Sequence, residues 1–161
     1  MPVGSRRTVT AAAVAVGVAL PALYEAAVGA LVRHNARRLG EGDLAPQLRT
    51  YADDVRFVFP GGSSWAGEFR GKKEVERWLR RFVDAGLKIE FDDVLVSGPP
   101  WATRLCLRFH DYCEDEHGET VYANEGTIYG HARWGRLTHY VVFEDTRRGE
   151  EFDTYLATVG K

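Results

Sequence analysis

Few side chains in this 161-residue sequence have both the type and the setting that acid–base chemistry requires. Glu125 and His139 are the two candidates, each inside a run rich in β-branched and aromatic residues that reads as a strand. A carboxylate turned into apolar surroundings holds its proton toward neutral pH and can act as a general base. An imidazole titrates in that range without help. Strand alternation puts Glu125 with Thr127, Tyr129 and His131 on one face, and Asn124 with Gly126, Ile128 and Gly130 on the other. His139 shares its face with Leu137, Val141 and Phe143. The ordinary alternatives stand beside these readings: a surface or interface carboxylate for Glu125, and for His139 an imidazole satisfied by a carbonyl or a dimer partner. Asn35, on the first helix of the domain, can donate to a ligand oxygen or bond its own helix backbone.

A candidate ligand site needs an apolar lining, and its expected members are Phe59, Trp65, Phe69, Trp78, Phe82 and Ile128, with Asn35 and Asn124 as polar contacts. Aromatic residues at helical spacing are core more often than cofactor contacts. His110 and Asp111 are strand neighbours pointing to opposite faces, a poor geometry for a dyad. No metal ligand set is present, since the five histidines are scattered and no paired-cysteine or HExxH spacing occurs. No GxSxG, P-loop or GxGxxG motif supports acyl-enzyme or nucleotide chemistry, so no cofactor is expected. Lys+Arg 21 against Asp+Glu 23, spread along the chain, argues against nucleic acid as partner. Cys106 and Cys113 lie seven positions apart in one strand run, roughly 23 Å along it, too far for a disulfide.

The elements that position these residues follow from periodicity. Apolar positions at 23, 24, 27, 28, 31, 32 and 39 make a helical stripe ending at Gly40-Glu41-Gly42. Asp43 caps a short second helix through Leu44, Leu48 and Tyr51. A strand from Val55 to Phe59 ends at Pro60-Gly61-Gly62. Residues 63–70 form a loop or short hairpin, and Gly71 opens a third helix with Val75, Trp78, Leu79, Phe82 and Val83 on one side. Strand runs follow at Leu87–Val96, Ala102–Tyr112, Val121–Arg133 and Leu137–Phe143, separated by turn-forming residues. Helices first and long consecutive strands afterwards predict an α+β fold: three helices gathered on one face of a curved, mostly antiparallel sheet and enclosing a pocket with it.

Residues 1–22 read as an Ala-rich extension outside the domain, 23–145 as the pocket domain and 146–161 as a charged peripheral tail. Residues 8–24 carry no charge and follow Arg6-Arg7, the layout of a signal peptide or membrane anchor, but Pro21 and Glu25 weaken a span. Ser5-Arg6-Arg7 is a loose match to a twin-arginine export signal, without a small-x-small cleavage site before the domain. Three readings stay open: a cytoplasmic extension, a membrane contact through residues 8–32, and export.

The order and spacing of Leu39-Gly-Glu-Gly-Asp-Leu44, Tyr51-Ala-Asp-Asp-Val55, Phe59-Pro60-Gly61, Gly67-Glu-Phe-Arg-Gly71 and Gly135-Arg-Leu137 resemble the nuclear transport factor 2-like superfamily, in its SnoaL-type polyketide cyclase and ketosteroid isomerase branch. The resemblance covers roughly residues 24–145. It implies the cone fold, a homodimer across the open sheet face and a cofactor-free isomerase or cyclase working by acid–base catalysis on a small hydrophobic or polycyclic molecule. The family's catalytic positions fall at Asn35, Phe59 and Thr127 or Ile128, none of them ionisable. The competing expectation is therefore a non-catalytic interaction domain tethered to a membrane by its N-terminal segment.

Overall fold

The computed structural model describes residues 7–160, with side chains from Leu20 onward. Ser5 and Arg6 of the export-like signature, and the side chains of residues 7–19, lie outside this description. Helix α1 runs unbroken from Arg7 to Gly40. The boundary expected near residue 22 is therefore not a break in the backbone: Pro21 sits inside the helix, where the missing N–H costs one ladder bond without ending it. Among the described residues no helix is long and apolar enough to cross a membrane.

The second helix, α2, is shorter than its sequence pattern, Ala45–Arg49, with the Asp43 carboxylate accepting from the Ala45 N–H at 3.0 Å. Tyr51 belongs instead to strand β1, Tyr51–Phe59, because its ring is 2% exposed and fills the core. A short strand β2, Gly67–Arg70, pairs back on β1, setting Phe69 beside Phe57. Helix α3, Lys72–Asp84, buries Val75, Leu79 and Phe82. Strands β3 (Leu87–Ser97), β4 (Thr103–Glu114), β5 (Thr120–Arg133) and β6 (Arg136–Glu144) follow. The sheet order is β2-β1-β6-β5-β4-β3, antiparallel throughout except for the parallel β1–β6 pair.

The chain after Glu144 is not a loose tail. Asp145 caps helix α4, Thr146–Thr158, accepting from the Arg147 N–H at 3.1 Å, and the helix buries Phe152 and Leu156 in the main core. Its many charges hid an i, i+4 apolar pair, enough to dock one face. The architecture is the expected α+β cone, with α4 as an additional covering helix.

Candidate functional site

Alternation along β4 turns Leu105, Leu107, Phe109, Asp111 and Cys113 inward, all of them buried. Along β6 the inward set ends Tyr140, Val142, Glu144. Two carboxyls are thereby carried into an otherwise apolar interior. Gly126 makes this approach possible: a Cβ there would stand 2.5 Å from the Phe143 carbonyl oxygen, 2.8 Å from the Phe109 ring and 2.9 Å from Glu144 Cβ. Only hydrogen fits.

Three small adjoining spaces lie in the apolar interior between the sheet and the helices, apart from a wider cleft of about 460 Å³ between α1 and β3. The outer one, about 130 Å³, is bounded by Tyr24, Asn35, Thr103, Leu107 and Leu137 among others. The middle one, about 90 Å³, runs between Phe57, Phe59, Trp78, Phe91, Asp111 and Glu144. The innermost is about 20 Å³ and shares Phe59, Trp78, Phe82, Asp111 and Glu144 with the middle one, adding Trp65, Tyr122 and Phe152. The two larger spaces share Gln47, Tyr51, Phe91, Ile128 and Tyr140. A dry cavity of about 150 Å³ accepts a benzene-sized molecule, so the interior suits a compact group rather than a polycyclic one.

Burial is the dominant force on the polar groups. Asp111 is 6% exposed and its Oδ1 has no partner. Desolvation pushes its pKa up to about 7, only partly offset by its own backbone N–H and then by the nearby Tyr122 hydroxyl. Desolvation, with the Asp111 charge next, pushes Glu144 up to about 8 against the lowering influence of the nearby Asn124 amide. No cation offsets either carboxyl beyond a weak pull from His110 on Asp111. Near pH 7 the pair accordingly holds a proton while one carboxyl can still accept one.

A second polar group stands where the two larger spaces meet. Gln47 Nε2 donates to the Tyr51 hydroxyl at 2.9 Å, and the Tyr51 and Tyr140 hydroxyls lie 3.3 Å apart. Burial raises both phenols, so both stay protonated. Two O–H groups share one mutual contact, which leaves one proton to donate into the cavity whichever tyrosine donates to the other. In the outer space Asn35, 3% exposed, has an unpartnered Oδ1.

The expected lining residues divide. Asn35, Phe59, Trp78, Phe82 and Ile128 line the two larger spaces, and Trp65 the innermost. Phe69 stacks on Phe57 at 5.4 Å without joining the lining of these spaces. Asn124 stands behind them, its amide donating to the Tyr122 hydroxyl at 3.2 Å and to the Asp145 carbonyl at 3.0 Å. It braces the acids.

The two expected catalytic residues are elsewhere. Glu125 is on the outer face of the sheet, its side chain 3.3 Å from Arg108 in an exposed pair. His139 also points outward, its ring 6.1 Å from that of His131; burial, then the Arg56 charge, lowers its pKa, and Nε2 lacks a partner. The physical reason is register: inward Ile128 and Asn124 oblige Glu125 to face out, and inward Tyr140 does the same to His139. Among the described residues no group of three or more His, Cys, Asp and Glu could hold a metal ion. Asp111 and Glu144 are the acids that sequence reasoning passed over. A lone charge in the inward series Leu105, Leu107, Phe109, Asp111, Cys113 is the signal that would have found the first.

Comparison with known proteins agrees with this geometry. A nuclear transport factor 2-like protein of unknown function from Burkholderia pseudomallei superposes with a TM-score of 0.65 at 20% identity, over 79% of this chain and 97% of the other. PrhC from Penicillium brasilianum gives 0.67 at 15% identity, over 84% and 91%. TerC, co-crystallised with polyporic acid, gives 0.65 at 16% identity, over 79% and 98%. At these identities the likeness is one of fold. No curated protein matches the chain. The SnoaL-like domain model matches residues 32–145, most of the chain and the whole sheet, and the chain therefore belongs to the SnoaL-like domain family.

Proposed function

We propose that this SnoaL-like domain binds a small apolar molecule carrying a polar oxygen, and that Asp111 and Glu144 move a proton on it without a cofactor. The carrying observation is a buried carboxyl, Asp111, beside a half-buried one, Glu144, with pKa values raised to about 7 and about 8, on the wall of an apolar space. One member in its carboxylate form takes a proton from the ligand, and the protonated member returns one to a second atom, so that the ligand leaves isomerised and the pair still holds one proton, now on the other carboxyl. The spare O–H of the Tyr51–Tyr140 pair supplies a donor for the ligand oxygen. TerC, of similar fold, was crystallised with polyporic acid, which supports occupancy of such an interior by an organic molecule. The outer sheet face, carrying exposed Tyr129 and Phe143, is assigned in this reading to a second copy of the chain, and sedimentation velocity tests that assignment.

A compact aromatic ketone, acetophenone, tests the site. Its binding is expected to raise the melting temperature of the wild-type protein, and Ile128→Trp, which fills the junction of the two larger spaces, to abolish that rise. Equal binding by wild type and Ile128→Trp, or none by either, would remove the ligand reading. For turnover of any enolisable ketone found among binders, Asp111→Asn is expected to lose activity while Glu125→Gln keeps it.

A further inference from the structure

The end of the domain where the β3–β4 and β5–β6 turns lie side by side is unlike the rest of the surface. Trp101 and Trp134, one on each turn, are 57% and 68% exposed with ring centroids 5.9 Å apart. Trp134 holds a left-handed backbone, φ 53°, a conformation that disfavours a side chain of its kind, and its N–H donates to the Pro100 carbonyl at 2.6 Å. The backbone thus pins two large apolar rings in water.

Helix α1 arrives at the same end. Thr103 donates its hydroxyl proton to the Pro99 carbonyl at 3.1 Å, which makes Tyr24 the donor in its 2.5 Å contact with Thr103. Residues before Tyr24 consequently continue past the turns. Leu20 and Leu23 there are 62% and 65% exposed, and the helical backbone runs on to Arg7, about 20 Å farther at the α-helical rise. Between Arg7 and Glu25 the sequence carries no charge. Exposed Arg104 and Arg133 flank the tryptophans, and neither forms an ion pair among the described residues.

We propose that this end of the domain docks on an anionic lipid surface, with Trp101 and Trp134 at headgroup depth, the α1 extension entering the apolar layer, and Arg104 and Arg133 against the phosphates. Tryptophan beside arginine matches the water–lipid boundary, where a ring with an apolar body and an N–H is better placed than in either phase. A second protein fits less well. Two tryptophans and two leucines fall short of the roughly 800 Å² per partner that a stable interface covers.

Mixed phosphatidylcholine–phosphatidylglycerol vesicles containing brominated acyl chains test this with the full chain. Of the four tryptophans, Trp65 is buried and Trp78 lies in the core, so contact quenching by bromine reports on Trp101 and Trp134. Wild-type fluorescence is expected to be quenched, and the W101A/W134A double variant to lose that quenching and to partition about tenfold more weakly. Both sites are surface turns, and an unchanged circular dichroism spectrum shows that the variant folds. Absence of quenching in the wild type, equal quenching or equal partition in the variant, or self-association without vesicle binding would each overturn the proposal.

Discussion

The two faces of the sheet treat a carboxylate in opposite ways. Glu125, on the outer face of β5, meets Arg108 across an exposed gap, an arrangement that contributes little in water. Asp111, across one strand pairing on the inner face of β4, has neither solvent nor a strong cation, and its pKa rises to about 7. Opposite charge makes a carboxylate ordinary, and its absence under burial makes it reactive. On the outer face Glu125 is compensated by Arg108, while on the inner face Asp111 is left without such a partner.

The severest way to break the comparison is to remove inner-face packing. Phe57 is 1% exposed and stacks on Tyr140 at 4.4 Å, so Phe57→Ala is expected to cost about 3–5 kcal/mol by urea unfolding. On the outer face, where Phe143 is 56% exposed, Phe143→Ala in the monomer is expected to stay within about 0.5 kcal/mol.

Next in size is the pH dependence. Asp111 and Glu144 bind protons more tightly folded than unfolded, since about 7 and about 8 stand above their ordinary values of 3.8 and 4.5. Stability from this source is full below about pH 4, declines above it, and is gone once the pH has passed the folded values. For Asp111 the decline amounts to about 4 kcal/mol at most. Thermal melts from pH 4 to 9 are expected to show it, Asp111→Asn to flatten it, and Glu125→Gln to leave it as in the wild type. A smaller effect separates α4 from the sheet it covers: Asp145→Ala removes the cap at the Arg147 N–H and is expected to cost about 1 kcal/mol in chemical denaturation.

Much of the fold was legible because long strands alternate. The four runs after α3 match β3 to β6 within a residue or two at each end, and the same period set Ile128 on the face opposite Glu125. The site was less legible, for two physical reasons. Which face of a strand is inward is a tertiary fact, and Glu125 could be weighed only after Ile128 and Asn124 were known to point in. Glu144 sits at the end of β6, next to a charged segment that conceals the apolar pair Phe152 and Leu156, so the acid looked like the start of a tail. Asp111 was judged as a partner for His110 rather than as a charge alone among Leu107, Phe109 and Cys113. The Tyr51–Tyr140 contact joins residues 89 positions apart across a parallel strand pair, which local spacing does not encode.

Carboxyl carbon NMR on protein labelled at Asp and Glu side chains tests the central claim most directly. Two resonances are expected to titrate near pH 7 and pH 8, the first lost in Asp111→Asn, where the Glu144 resonance should move to lower pH because the Asp111 charge that raised it is gone. If both residues instead titrate below pH 5 like exposed carboxylates, the inner pair is not held protonated and the proposed acid–base site fails.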